Sequence, residues 1–196
     1  MRRLLLTENI TVDGRIEMLD DWFDPSPQDD VGDLQEELDR QGASSDAVLL
    51  GRQTFEDFRG YWPHHTDESA GAYLDQVQKY VVSSSMTEPR WRNSTVLSGD
   101  PVEEVRRLKT TAGGDIVLTG SITLAHEVIA AGLVDEIRLF VYPAVQGRGK
   151  GLVAENTSLP ALELLGTRTF RCGVVLLRYA VTAGGGSRES STEPGR

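Results

Sequence analysis

Cysteine is almost absent from this 196-residue chain, in which Cys172 stands alone. A single cysteine excludes an intrachain disulfide framework and any multi-cysteine zinc site. Cys172 precedes the apolar stretch Gly173-Val174-Val175-Leu176-Leu177, so a buried, inert thiol is expected there rather than a nucleophile. Basic residues are also scarce. Lys and Arg number 20 against 30 Asp and Glu, for a net charge of −10, which argues against a nonspecific nucleic-acid face and fits plain solubility. No apolar run approaches a membrane span. Met1-Arg2-Arg3-Leu4-Leu5-Leu6 imitates the start of a signal peptide, but Thr7-Glu8-Asn9 interrupts it too soon for an apolar leader core. A soluble, cytoplasmic protein without a membrane partner is expected. The spacing G-x-G-x-x-G is missing, which disfavours an ordinary Rossmann dinucleotide site. Internal repeats are missing too.

What remains is enough for one substantial core. Leu4 to Thr11 reads as a first strand, followed by a turn at Val12-Asp13-Gly14-Arg15 and an acidic loop over 20–29. Val31, Leu34 and Leu38 have helical spacing, with Gly42 as a C-terminal stop. A strand at 47–50 leads into a short helix through Phe55 and Phe58. Residues 60–67 read as loop and 68–78 as helix, with Tyr73, Leu74 and Val77 as its apolar stripe. Strands follow at 80–82 and 95–97. Asp100-Pro101-Val102-Glu103 is a helix start with an Asp N-cap, Pro at N1 and Glu at N3. A strand at 116–118 precedes a helix over about 121–131 with Ile122, Leu124, Ala125, Val128 and Ile129 facing inward. Ile137, Leu139 and Val141 then alternate with Arg138, Phe140 and Tyr142. Two last strands, near 162–170 and 173–181, read as an antiparallel pair. The fold class is therefore α/β: a mixed, mostly parallel sheet flanked by helices, with an antiparallel C-terminal pair. One domain over 1–182 and a flexible tail over 183–196 are expected.

Three of these strands end in residues suited to phosphate. They run into Gly51-Arg52-Gln53-Thr54, Ser83-Ser84-Ser85 and Thr119-Gly120-Ser121. Ligands of open α/β sheets gather outside the carboxyl ends of the strands. Glycine admits a close approach there, and helix N-termini offer free N–H groups to anions. Arg52 adds a planar cation that matches phosphate oxygens. Each corner also has a plainer reading: a turn with a surface arginine, a serine capping the next turn, and Ser121 capping the helix after it. Trp22, Phe58, Tyr61 and Trp62 can stack on a flat heterocycle or simply pack as core and lid. His64, His65, His126 and Asp67 lack zinc-site spacing, so no metal site is expected.

Taken together, these features resemble the dihydrofolate reductase superfamily, and within it the C-terminal reductase domain of riboflavin biosynthesis. Four segments carry the resemblance, which runs from the first strand to about Val181. They are Thr11-Val12-Asp13-Gly14-Arg15-Ile16, Leu49-Leu50-Gly51-Arg52-Gln53-Thr54-Phe55-Glu56, Ala131-Gly132-Leu133-Val134-Asp135-Glu136-Ile137-Arg138-Leu139, and Tyr142-Pro143-Ala144-Val145-Gln146-Gly147-Arg148-Gly149. The resemblance implies NADPH as hydride donor. Gly51, Arg52 and Thr54 would hold its adenosine phosphate side, with Ser83 and Ser84 at the 2′-phosphate. Thr119, Gly120, Ser121, Ile122 and Thr123 would line the diphosphate and nicotinamide. Asp13, the candidate catalytic residue, and Gly14 would lie near nicotinamide and substrate, with Trp22, Phe58 and Trp62 as further substrate contacts. In dihydrofolate reductases a Gly-Gly pair with a cis bond stands where this chain has Thr119-Gly120. The helix carboxylate that holds a pterin there is matched by Gln35, with Glu36 and Glu37 read as part of a solvated face. The riboflavin enzyme usually carries a fused zinc deaminase; this chain reads as a stand-alone reductase-like domain, so none is expected.

The first reading is thus an NADPH-dependent reductase of a small pyrimidine- or pteridine-like substrate, possible ribose linkage included. The alternative is a non-catalytic nucleotide-binding module on the same fold. Asp13 also reads as a turn carboxylate before Gly14. A homodimer is expected from the resemblance, with Phe140 and Tyr142 as a potential contact face.

Overall fold

The computed structural model describes residues 1–23, 30–155, 157 and 161–182. The tail 183–196 and positions 24–29 of the acidic loop lie outside the described residues. In chain order the elements are β1 (Leu4–Thr11), α1 (Gly32–Ala43), β2 (Ser45–Gly51), α2 (Arg52–Tyr61), α3 (Ser69–Gln76), β3 (Gln78–Val82), β4 (Ser94–Leu97), α4 (Pro101–Thr110), β5 (Asp115–Thr119), α5 (Ile122–Ala130), β6 (Glu136–Tyr142), β7 (Leu162–Thr169) and β8 (Val175–Val181). A 3-10 turn, Trp62–His64, extends α2 through what the sequence presents as loop. Among the described residues no helix is long and apolar enough to cross a membrane.

One eight-stranded sheet runs in the order β4-β3-β2-β5-β1-β6-β8-β7. β1 to β6 are mutually parallel; β8 runs antiparallel to β6, and β7 antiparallel to β8. Period-two side-chain alternation feeds both faces. Leu4, Leu6, Leu49, Ile116, Leu118 and Ile137 pack against α4 and α5 through Val105, Leu108, Leu124, Ala125, Val128 and Ile129. On the opposite face Val48, Leu50 and Val81 meet Phe55 of α2 and Leu74 of α3. Leu34 of α1 covers Phe140 and Leu176. Chain order thus sends β1 leftward to β2, β3 and β4 under α1 to α3, and returns under α4 and α5 to β5 and β6. The reversal leaves a crevice at the carboxyl ends of β2, β5 and β1, where ligands of such sheets bind.

Several expectations hold. Asp100 accepts the Glu103 N–H at 3.1 Å as the N-cap of α4, with Pro101 next. The last two strands pair antiparallel. Others are corrected. Leu38 is exposed, whereas Glu37 is buried at 1 % exposure, because α1 turns that side toward arginines of the sheet. Gly42 lies inside α1 instead of ending it. A Cβ there would sit 3.4 Å from the Tyr73 ring, so the glycine serves the contact that lets Tyr73 Oη meet Ser45 Oγ at 2.8 Å. Val77 falls just beyond α3, as its C-cap. Cys172 is half-buried in the β7–β8 turn rather than buried in a strand. Phe140 is no contact face for a second copy: it is 1 % exposed and stacks on Phe170.

Beneath α1 lies a buried ionic network. Glu37 accepts from Arg40, Gln41 and Arg168. Arg138 Nη1 donates to Gln41 Oε1 at 3.1 Å, and its Nε donates to Glu136 Oε1 at 2.8 Å. Arg178 Nε also donates to Glu136, at 2.9 Å. Burial alone would raise both glutamates, but the arginine hydrogen bonds outweigh it and hold each below the usual carboxylate range.

Candidate active-site crevice

β3, β2 and β5 are neighbours, so their three phosphate-suited corners open at one edge of the sheet. Two of the corners are tied directly. Ser121 Oγ accepts the Gly51 N–H at 2.9 Å, and Thr54 Oγ1 accepts the Ser121 N–H at 2.9 Å. This removes the plainer reading of Ser121 as a helix cap: its hydroxyl is committed across the crevice, and it makes no cap bond to α5. The N-terminus of α2 also lacks a side-chain cap. Both helices therefore present first-turn N–H groups and partial positive charge to the crevice.

The local backbone is built for this approach. Gly120 and Ser121 are both left-handed, at φ +57° and +51°. A Cβ on Gly120 would lie 3.1 Å from Thr54 Cγ2. Only glycine takes this conformation without strain, and the strained Ser121 beside it marks a position held by its surroundings. The Thr119–Gly120 peptide is trans, as is every other described bond.

Gly51, Arg52, Thr54 and residues 119–123 all line the crevice. Arg52 is half-exposed at its mouth, with Glu56 one helical turn on at 2.9 Å. At the β3 corner Val82 reaches the lining, whereas Ser83 and Ser84 stand just behind it. Ser83 is buried, and its Oγ accepts the Met86 N–H at 3.0 Å, the turn-capping role. Ser84 is exposed. Trp22, Phe58 and Trp62 also line the crevice. Phe58 and Trp62 meet edge to face on one wall, with centroids 6.3 Å apart. Trp22 packs on Tyr142 on another, at 5.4 Å, and its Nε1 donates to Gln146. Tyr61 is stacked on His65 at 3.9 Å. His126 bonds the Gly151 carbonyl from α5. Among the described residues no group of three His, Cys, Asp or Glu could hold a metal ion.

Asp13 and Gly14 fall outside the lining. The Asp13 carboxylate accepts from Thr11 Oγ1 at 2.6 Å, Gln146 N at 3.1 Å and Gly147 N at 2.7 Å. These donors, Thr11 foremost, lower its pKa to about 2, so it carries no proton at neutral pH and staples the first turn to the loop after β6. A depressed carboxylate stabilises the fold above its unfolded pKa and loses that contribution as pH falls through the folded value. The thermal midpoints of wild type and Asp13→Asn are therefore expected to differ by a constant amount from pH 7 to 5. The gap should close between about pH 4 and 2; a gap unchanged at pH 2 would contradict this role.

The first strand supplies residues that the motif reading passed over. The β1–β5 register ends at Thr7↔Thr119, whereas β1–β6 pairing runs on to Thr11↔Tyr142. From Glu8 onward β1 therefore has no β5 neighbour and forms a crevice wall. Thr119, Thr7 and Arg138 make a polar row across three strands, and all three line the crevice with Asn9 and Gln41. Thr7 Oγ1 and Glu8 Oε1 are buried without a hydrogen-bond partner. Burial pushes Glu8 well above the usual carboxylate range, and a hydrogen bond from the Gly120 N–H only partly offsets this. The signal was available: Thr7-Glu8-Asn9 interrupts a strand that is otherwise apolar on both sides.

An eight-stranded, mostly parallel sheet with an antiparallel edge and this crevice defines a dihydrofolate reductase-like fold. The RibD C-terminal domain model matches residues 2–176. The chain belongs to that family. It is 33 % identical over 186 residues to the uncharacterized protein YyaP of Bacillus subtilis, covering 91 % of this chain and 94 % of that one. Identity to the uncharacterized protein YwjB of the same organism is 27 % over 164 residues, with 84 % and 86 % covered. Among solved structures, a putative riboflavin biosynthesis protein from Shewanella sp. PV-4 superposes with a TM-score of 0.68 at 16 % identity, covering 92 % of this chain and 99 % of that one. A Thermotoga maritima diaminohydroxyphosphoribosylaminopyrimidine deaminase/5-amino-6-(5-phosphoribosylamino)uracil reductase gives 0.63 at 14 % identity, over 92 % of this chain and 57 % of that one.

Proposed function

We propose that this protein is an NADPH-dependent reductase of a small heterocyclic substrate, of the pyrimidine or pteridine kind, similar to 5-amino-6-(5-phosphoribosylamino)uracil reductase. The observation that carries this reading is the tie between the Gly51 and Gly120 corners, which aims two uncapped helix N-termini and Arg52 at one crevice. The fit to a dinucleotide is chemical. The α5 corner offers N–H donors for a diphosphate, and Arg52 at the crevice mouth offers a cation for a further phosphate. NADPH, when bound, supplies the hydride. The chain's own residues orient it, exclude water with the Phe58–Trp62 and Trp22 walls, and present the Thr119–Thr7–Arg138 row to a polar ring.

Arg52→Ala is expected to remove a charged hydrogen bond of about 1.5–3 kcal/mol, a loss of roughly ten- to hundred-fold in NADPH affinity, with NADH affinity nearly unchanged. Fluorescence titration of both cofactors checks this. Equal losses for the two would remove Arg52 from the 2′-phosphate. Gln35, matched to the pterin-holding carboxylate, is hydrogen-bonded to Asp39 and Ser69; it favours the non-catalytic alternative over a folate reductase. Turnover of any pteridine or pyrimidine by the NADPH-loaded protein would end that alternative.

A further inference from the structure

Three glutamates of the described residues are buried to within 3 % exposure, and they are not alike. Glu37 and Glu136 have arginine partners. Glu8 has none. A buried carboxyl without a cation is held neutral, because desolvation penalises its charged form. The position of Glu8 gives that neutral acid a use. It follows the last β1–β5 pair, where the sheet opens, and it lines the crevice beside the Gly120 corner with Oε1 unpartnered. A polar atom buried without a partner calls for an explanation, a catalytic role among them, and on the wall of a crevice a ligand can supply the missing contact.

We propose that Glu8 is the acid that delivers the proton accompanying hydride reduction in this crevice. The proposal rests on the reductase reading and names its proton source. The substrate's polarised C=N or C=O carbon gains a hydride from the reduced nicotinamide dinucleotide. The π-electron pair moves to the nitrogen or oxygen, and that atom takes the Glu8 proton as the O–H bond breaks. Glu8 is left as a carboxylate, the dinucleotide is left oxidised, and Glu8 regains a proton from water before the next turnover. Asp13, ionised and engaged in the turn, has no proton for this step.

Glu8→Gln keeps the shape and hydrogen-bonding capacity of the side chain without its acidic proton. Infrared spectra at pH 7 are expected to show a protonated-carboxyl carbonyl band in wild type that Glu8→Gln lacks and that moves when NADPH is added. NADPH affinity of Glu8→Gln should stay within about two-fold of wild type. NADPH consumption with 5-amino-6-(5-phosphoribosylamino)uracil should fall by roughly 10²–10⁴-fold. If the variant does not fold, or the probe is not turned over, the NADPH-induced band shift in wild type decides alone. A wild-type spectrum without such a band, a band indifferent to NADPH, or equal turnover by the two proteins overturns the assignment of Glu8 while leaving the cofactor reading standing. Failure of wild type to bind NADPH overturns the cofactor reading, and the assignment falls with it.

Discussion

Glu136→Ala is expected to destabilise the protein by about 3–5 kcal/mol, the range seen when one partner of a buried ion pair is removed. At roughly 2–4 °C per kcal/mol for a chain of this size, the thermal midpoint should fall by roughly 6–20 °C. Arg138 is the reason. Its side chain is 5 % exposed, and without Glu136 its guanidinium keeps, among the described residues, only the neutral Gln41 as a hydrogen-bond partner. Arg178 loses the same carboxylate but is better exposed and can turn to water. Pairing the change with Arg138→Met should recover part of the loss, since the apolar side chain removes the stranded charge. Acid should mimic the single variant. Both Glu37 and Glu136 are depressed in the fold, so their contribution is complete above the ordinary carboxylate range and is lost as pH falls through the lower folded values. Denaturant titration of the single and double variants checks the assignment; a single variant within about 1 kcal/mol of wild type would show that the network contributes little.

The second large effect concerns the crevice itself. Gly120→Val places a β-branched residue at φ +57° and drives its Cβ toward Thr54, whose hydroxyl holds Ser121. The left-handed conformation costs about 1–2 kcal/mol for an L-residue, and moving Thr54 releases the tie between the β2 and β5 corners. NADPH affinity should fall by at least roughly ten-fold. Gly132→Val is the control. Gly132 has a similar φ of +64°, but no atom lies within 4 Å of its would-be Cβ, so the variant carries the backbone strain without disturbing the crevice. It should lose stability and keep its ligand. Equal affinity losses in the two variants would mean that global strain, not the corner, explains the first.

Much of this fold is legible in the chain. β1 and α4 are bounded by an apolar run and by the Asp100-Pro101 start, both local signals that tertiary packing does not override. The three corners are legible as strand ends, and the resemblance orders them. The misreadings share a cause. Sequence places Glu37 on a solvated face, yet it is buried with Gln41 and Arg138 through partners 97 to 131 positions away along the chain. Ser121 is similar: helix capping is the common local role for a serine before a helix, and only the adjacency of β2 and β5 redirects its hydroxyl to Gly51. Glu8 was readable as a charge inside a strand. Its lack of a cation was not, because that follows from which strands flank β1 and from where β5 stops.

The central claim is that one dinucleotide spans these corners, with its additional phosphate at Arg52. Isothermal titration calorimetry of the full chain with NADPH and with NADH tests it most directly. One NADPH per chain is expected, bound at least roughly ten-fold more tightly than NADH. No heat of binding with either cofactor, or equal affinity for both, would contradict it.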